Sequence, residues 1–271
     1  MTPADFERLQ ALMATRAGYR LTRDRMQLAK HRLGPVARRE GFDSVEAMLQ
    51  TMAGQPVASL AWSVIEALLN AETWFRRDRT PFDSFAREVL PALGKARGRP
   101  LRIWSAGCST GQEAYSLAMA ALEAGVPAQI TGVDLSSRAI EKAKSGLYTA
   151  FEIQRGLAAA TMLRWFERVE DGGWQASAAL RQAVFFQRAN LLDEPVDPGQ
   201  FDVIFCRYLL KDMEPTRRAR LLDVLDSRLL DDGCLFLGAD ERPEAETVAF
   251  RGVAGRPGLF IKTDRSLSRV A

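Results

Sequence analysis

Residues 106–111 read Ala106-Gly107-Cys108-Ser109-Thr110-Gly111, a run of small side chains between an apolar stretch and a helix-like one. Such a turn lets the backbone approach a ligand closely, because no bulky side chain stands in the way. Further on, Thr131-Gly132-Val133-Asp134 closes a second apolar stretch and a helix opens at Ser136. In an open α/β sheet, ligands lie beyond the carboxyl ends of the strands. An acid at the end of the second strand can accept hydrogen bonds from ribose hydroxyls there. Each feature also has a purely structural reading: a tight strand–helix turn for the glycines, a helix cap for Asp134. Their occurrence together, in this order, favours a nucleoside-type ligand.

The loop does not contain G-x-x-x-x-G-K-[ST], the pattern that grips phosphates, and with two glycines it is not a full G-x-G-x-x-G. A ligand without a pyrophosphate is therefore favoured. S-adenosylmethionine, with adenine, ribose and a sulfonium-bearing amino acid, fits that description. A single histidine, His31, in 271 residues leaves no material for a serine-hydrolase triad or a histidine-rich metal site, and no metal is expected. Cys108, Cys206 and Cys234 lie in apolar or Gly-rich strand-like stretches and read as buried reduced thiols. A net charge of +3 is too mild to argue for nucleic acid.

The elements that must position this loop follow from hydrophobic spacing. From residue 101 onward, short apolar runs alternate with helical segments. The runs are Leu101–Ser105, Ala128–Val133, Ala183–Gln187, Phe201–Cys206, Cys234–Gly238 and Leu259–Lys262, and the helices include Glu113–Glu123, Ser136–Lys144 and Thr216–Leu229. This alternation predicts an α/β domain with a mostly parallel, Rossmann-like sheet over 101–271. Residues 1–70 carry helical periodicity and no strand signal, which predicts a small all-α domain. Gly34-Pro35 is expected to break or kink its second helix. Residues 71–100 read as a linker that contributes to the active site, with Gly94–Pro100 an exposed loop. Asp231-Asp232-Gly233 reads as a turn before a strand, and Trp165, Phe166 and Trp174 as core or lid residues. The start, MTPADFERLQ, has neither a basic nor an apolar signal-peptide region, and no stretch approaches the roughly 18 apolar residues of a membrane span. A cytoplasmic protein with 47% apolar and 26% charged residues is expected.

Longer motifs resemble one family. Trp104–Ser116 (WSAGCSTGQEAYS) resembles the W-S-A-G-C-S-[ST]-G-[EQ]-E-[PA]-Y-S motif of the bacterial chemoreceptor glutamate methyltransferases, the CheR family. Glu72–Asp78 (ETWFRRD) resembles that family's E-T-x-F-F-R-D, and Asn190-Leu191-Leu192 its N-L-L. Phe201–Arg207 (FDVIFCR) resembles F-D-V-I-F-C-R, and Leu235–Glu241 (LFLGADE) resembles L-x-L-G-x-x-E. The resemblance implies a class I methyltransferase fold, S-adenosylmethionine as cofactor and S-adenosylhomocysteine as product. It implies that Thr73 and Arg77 contact the methionine end and the reaction centre. Ala106, Gly107, Gln112 and Glu113 would lie along the glycine loop, Asp134 on the ribose, Asn190 and Leu191 beside the adenine, and Arg207 and Tyr208 at the pocket wall. The chain departs from the family pattern at Ala71, where Asn is usual, at Arg76, and over Tyr208–Met213, where C-R-N-V-L-I-Y-F becomes CRYLLKDM.

The implied substrate is a glutamate side chain of a methyl-accepting receptor. With a solution pKa of about 4.3 it is already a nucleophile near neutral pH, so the reaction needs alignment and desolvation rather than a strong base. An arginine fork matches a carboxylate, and Arg77 is the expected catalytic group. Its bland alternative is a surface ion pair with Asp78 or Asp83. Arg20, Arg23, Arg25, Lys30, His31, Arg32, Arg38 and Arg39 crowd the N-terminal segment. They read either as a solvated face or as a surface that steers an acidic helical receptor. Aromatic interleaving for base stacking is absent apart from Tyr19, so no nucleic-acid partner is expected. No membrane insertion is expected either, and the chain is expected to be a monomer. The competing readings are a methyltransferase for RNA or a small molecule, and a non-catalytic S-adenosylmethionine-binding module.

Overall fold

The computed structural model describes residues 1–54, 57–170, 172–193, 199–243 and 249–263. The chain divides into two compact units, Met1–Asn70 with Lys211–Arg218, and Ala71–Leu210 with Ala219–Ala271.

The first unit is helical. Its helices are α1 (Pro3–Ala17), α2 (Met26–Arg39), α3 (Val45–Gly54) and α4 (Ala58–Leu68). Thr2 and Asp5 form a reciprocal capping box that starts α1, and the Ser44 hydroxyl accepts from the Ala47 N–H to start α3. The helical spacing brings Phe6, Leu9, Met13, Leu33, Met48 and Ile65 into a common apolar interior, each essentially fully buried. Contrary to expectation, α2 runs through Gly34-Pro35 without a break. A residue before proline is normally pushed out of the helical region by its own Cβ. Glycine lacks that atom, which removes this part of the clash.

The basic cluster of this unit is only partly free for a partner. Arg25 donates to Asp212 at 3.2 Å and to the Tyr19 hydroxyl, and Arg32 donates to the carbonyls of Leu68 and Leu69 at 3.2 and 3.1 Å. Lys30 pairs with Glu46, and Arg39 with Glu40. Arg20 and Arg38 are exposed.

The second unit opens with α5 (Thr80–Ser84) and α6 (Leu90–Ala96), joined by a π-helical turn at Phe85–Val89. Its strands are β1 (Leu101–Ala106), β2 (Ala128–Asp134), β3 (Leu147–Tyr148), β4 (Phe166–Arg168), β5 (Trp174–Ala176), β6 (Val184–Arg188), β7 (Phe201–Phe205), β8 (Leu229–Phe236), β9 (Phe250–Gly252) and β10 (Leu259–Lys262). A 7-stranded sheet has the order β6-β2-β1-β7-β8-β10-β9. The strands from β6 to β8 are mutually parallel, and β10 runs antiparallel to both of its neighbours. This is the expected Rossmann-like α/β sheet, with one inverted strand near an edge. Helices α7 (Gln112–Ala124), α8 (Ser137–Ser145), α9 (Ala150–Gln154), α10 (Ala159–Trp165), α11 (Ala178–Gln182) and α12 (Pro215–Arg228) complete the elements.

A 3-stranded antiparallel sheet, β3-β5-β4, is inserted between β2 and β6. Here Phe166 is a core residue. Its ring meets Phe75 and Tyr148 edge-on, with centroids 5.3 and 6.1 Å away. Trp165 is buried as well, and its indole N–H donates to Glu123 at 2.9 Å.

Two loop expectations are corrected. Gly94–Pro100 is not simply an exposed loop, because Gly94–Ala96 closes α6 and the Arg97 side chain is only 17% exposed. Arg97 and Arg99 donate to the fully buried Asp202 at 2.7 and 2.8 Å, so the basic run is tied from the surface to an internal acid. Asp231-Asp232-Gly233 lies inside β8 rather than before it. The register against β7 jumps from Phe201↔Leu229 to Val203↔Cys234, which makes the segment a bulge. A Cβ on Gly233 would stand 2.9 Å from the Asp202 carbonyl oxygen, so the bulge needs glycine.

Candidate active site

β1 lies between β2 and β7, where the strand order reverses direction. At such a point the loops leaving neighbouring strands diverge and open a crevice at their carboxyl ends. The loop after β1 enters it at once. Gly107 and Cys108 donate their N–H groups to the Val133 carbonyl at 2.8 and 2.9 Å, which ties the loop to the end of β2. Asp134 then holds the loop from its side chain. One oxygen accepts from the Ser109 N–H at 2.8 Å, the other from the Ser136 N–H at 2.9 Å. The cap of α8 is Ser136 itself, whose hydroxyl accepts from the Ala139 N–H. Gly111 has φ +93°, and a Cβ there would lie 2.8 Å from Ala143 Cβ. Gly107 has φ +82°, and its absent Cβ would meet only Leu209, at 3.4 Å, so the backbone presents an unobstructed face.

The first turn of α7 carries Gln112 and Glu113. Gln112 is buried, and its side-chain carbonyl accepts from the Thr110 hydroxyl at 2.8 Å. Glu113 accepts from the Ser105 hydroxyl at 2.8 Å and from Arg207 at 3.3 Å. Burial pushes the Glu113 carboxyl above the ordinary range, against the pull of Arg207 and Ser105. Arg207 leaves the end of β7 with its side chain 2% exposed. It also donates to the Arg77 carbonyl at 2.9 Å and pairs with Asp78.

The segment around Arg77 is anchored from within. Phe75 is fully buried against Tyr148, with ring centroids 5.1 Å apart, and the Arg76 N–H donates to the Ser116 hydroxyl at 3.0 Å. Arg76, Asp78 and Arg79 all adopt left-handed backbone, at φ +48°, +67° and +50°. Arg77 donates to the Glu72 carbonyl at 2.7 Å, and its guanidinium lies over the rings of Tyr208 and Trp74, at 3.7 and 4.4 Å. Among the described residues it forms no ion pair with Asp78 or Asp83. Asp78 instead takes Arg207 and the Tyr208 hydroxyl. Tyr208 is also left-handed, at φ +61°, and its N–H donates to the buried Glu241 at 2.6 Å.

Thr73 is half-buried at the start of this segment. Asn190 and Leu191 follow β6 and belong to the Asp134 side, since the Ala189 N–H donates to the Asp134 carbonyl at 3.1 Å. With Trp104, Thr131 and Val133 they line a cleft on one face of the sheet. The expected residues thus form two groups. Ala106, Gly107, Asp134, Asn190 and Leu191 gather at the ends of β1, β2 and β6, while Arg77, Glu113, Arg207 and Tyr208 form one contact network.

The family model described as CheR methyltransferase, SAM binding domain matches residues 71–258. The chain belongs to the CheR methyltransferase family. It is 32% identical over 265 residues to the chemotaxis protein methyltransferase Cher2 of Pseudomonas putida, covering 94% of this chain and 96% of that protein. It is 34% identical over 270 residues to chemotaxis protein methyltransferase 1 of Pseudomonas aeruginosa, covering 96% and 97%. Over 187 residues it is 38% identical to the probable biofilm formation methyltransferase WspC of Pseudomonas aeruginosa, covering 66% of this chain and 43% of that protein. This CheR-family chain is an S-adenosylmethionine-dependent methyltransferase.

In this CheR sequence four members of the site went unassigned. Asp78 and Glu241 are the closing acids of two motifs, ETWFRRD and LFLGADE, so a signal for them was present. Ser105, the second residue of WSAGCSTGQEAYS, had the same kind of signal, whereas Trp74 stands at the variable position of E-T-x-F-F-R-D and carried none. A tryptophan in a loop gains meaning only from the Arg77 that the fold brings against it.

Proposed function

We propose that this enzyme methylates glutamate side chains on the cytoplasmic helical bundle of chemoreceptors, leaving a glutamyl methyl ester and S-adenosylhomocysteine. The observation that carries the reading is the placement of Arg77. Its guanidinium is stacked rather than ion-paired, and it adjoins the buried Glu113–Arg207 pair. The surrounding residues fit the cofactor. The open backbone of Gly107 and the adjoining Ala106 suit a close-packed nucleoside, and no phosphate-gripping loop is present in the sequence. Asp134 would accept from the ribose hydroxyls, and Asn190 and Leu191 would flank the adenine. Glu113, with Gln112 beside it, would face the cofactor's ammonium, with Thr73, Arg207 and Tyr208 closing the methionine end.

When bound, S-adenosylmethionine supplies a methyl group already activated by sulfonium, whose C–S electron pair departs on a neutral thioether. The acceptor carboxylate is ionised near neutral pH, so the chain needs no general base. Arg77 would take one or both carboxylate oxygens in its fork and align the other lone pair for in-line attack. Exclusion of water by the Trp74 and Tyr208 rings would strengthen that pairing.

Exposed arginines of the helical unit, Arg20 and Arg38 among them, would steer the acidic bundle. The enzyme would act as a monomer in the cytoplasm. Among the described residues, no helix is long and apolar enough to cross a membrane.

The test is transfer of radiolabelled methyl from S-adenosylmethionine to receptor-rich membranes, followed by mild alkali. Carboxyl methyl esters release the label as methanol, whereas N-methyl groups do not. Alkali-stable label, or no transfer, overturns the reading.

A further inference from the structure

Arg77 carries a flexible side chain, yet its immediate neighbours leave it little freedom. Besides the bond to the Glu72 carbonyl, its only described contacts by ring or hydrogen bond are the faces of Trp74 and Tyr208. Both rings are themselves fixed. Trp74 carries a second guanidinium, that of Arg155, at 4.0 Å, and Arg155 is held in turn by Glu72 at 2.8 Å. Tyr208 is constrained at three points. Its backbone N–H is bound by Glu241, and its hydroxyl donates to Asp78. Its ring passes so close to Gly238 that a Cβ there would stand 3.1 Å from two ring carbons and 2.7 Å from Glu241. The sequence places a tyrosine at this position where the family pattern has asparagine, which offers no ring face.

We propose that Trp74 and Tyr208 are positioning residues for Arg77, fixing the plane of its guanidinium and so the direction in which its fork meets the acceptor carboxylate. The inference rests on the reading of Arg77 as the group that aligns the acceptor. The ring face is the working part of Tyr208. Its hydroxyl serves to hold the ring, through Asp78 and thence Arg207. Burial, and then the bond to Asp78, push the Tyr208 phenol above its ordinary range, so it stays a protonated donor throughout the physiological range. A guanidinium lying on an aromatic face keeps its edge, and therefore its N–H donors, directed away from the ring. Losing one face lets the side chain rotate, and small misplacements of an aligning group cost rate far more than affinity.

The experiment compares Tyr208→Leu, Tyr208→Phe, Trp74→Leu, Arg77→Ala and the double variant Tyr208→Leu/Arg77→Ala. Single-turnover methyl transfer to receptor-rich membranes, calorimetric affinity for S-adenosylhomocysteine, and a thermal melt are read for each. Tyr208→Leu and Trp74→Leu should slow transfer about tenfold more than they weaken S-adenosylhomocysteine. Tyr208→Phe, which keeps the ring, should recover the rate to within about threefold of the parent. In the Arg77→Ala background, Tyr208→Leu should add less than about a twofold loss, because a residue that works through Arg77 has nothing left to position. Full additivity in the double variant overturns the proposal while leaving the role of Arg77 standing. So does a Tyr208→Phe loss as large as that of Tyr208→Leu with an unchanged melt. An Arg77→Ala enzyme that transfers methyl at the parental rate overturns both.

Discussion

Replacing Asp134 by alanine removes an acceptor with at least two structural clients and one proposed ligand. The carboxylate takes the N–H groups of Ser109 and Ser136 at 2.8 and 2.9 Å. A carboxylate can accept about four hydrogen bonds, so ribose hydroxyls can join these two. A hydrogen bond to a charged acceptor contributes about 1.5–3 kcal/mol. Asp134 is half-buried, and solvent screening lowers the ribose share to about 1–2 kcal/mol, or roughly 5- to 30-fold in affinity. Returning the two N–H groups to water should cost a further ~1 kcal/mol each in stability, and lower the melting temperature by about 4–8 °C. Calorimetry with S-adenosylhomocysteine and with its 2′,3′-dideoxy analogue separates the two roles. The parent enzyme should prefer the hydroxylated ligand by that same 5- to 30-fold, and Asp134→Ala should lose the preference. A variant that still discriminates as strongly as the parent would show that ribose is read elsewhere and that Asp134 is only a pin for the loop.

Asp202→Asn should destabilise the fold by about 2–4 kcal/mol at pH 7, somewhat less than for a wholly buried pair because Arg99 is 44% exposed. Burial raises the Asp202 carboxyl, but Arg99, Arg97 and the Arg102 N–H more than offset it and hold the group below its ordinary value. A depressed carboxylate stabilises above its unfolded pKa, so the gap between parent and variant should close as pH falls below about 4, as read by urea titrations across pH. Reversing Arg20, Arg23 and Arg38 to Glu should raise KM for receptor and flatten the salt dependence of methylation, leaving cofactor affinity and the melt unchanged. Receptor methylation unaffected by the reversal would mark that surface as merely solvated.

Most strands of the seven-stranded sheet were legible as short apolar runs bounded by turn residues, and β1, β2, β6, β7 and β10 lie where those runs predict. The small sheet was not. Its strands are two or three residues long, too short for any alternation to register. The helical stretch from Thr80 to Ala96 lies in the segment that reads as a linker, because Thr80-Pro81 looks like a break. Proline is welcome in a first helical turn, where its missing N–H has no partner to lose. Arg97 and Arg99 looked solvent-bound because their buried partner, Asp202, lies far along the chain. The site divides in the same way. Gly107, Gln112, Glu113 and Asp134 sit in local motifs around one strand–loop–helix turn and its neighbour. The Glu113–Arg207–Asp78 chain and the rings on Arg77 join segments that only the fold brings together.

The backbone itself points to where function constrains this fold. Among the described residues, those other than glycine with positive φ are Arg76, Asp78, Arg79, Ser109 and Tyr208. Each such residue costs about 1–3 kcal/mol, and evolution retains the strain only where surrounding structure enforces it. All of them stand in the glycine loop, in the Arg77 segment or on the end of β7, and none elsewhere among the described residues. The enforcing contacts are visible: Asp134 on Ser109, Glu241 on Tyr208, and the buried Arg207 on Asp78. A buried Arg207 bracketed by Glu113 and Asp78 is a poor way to gain stability, since apolar residues of the same volume would do as well or better. Strain and buried charge together therefore mark a site built for geometry. That is what the proposed methyl transfer to a carboxylate, which needs no general base, would demand of its protein: groups held still, at the right angle, with water kept away.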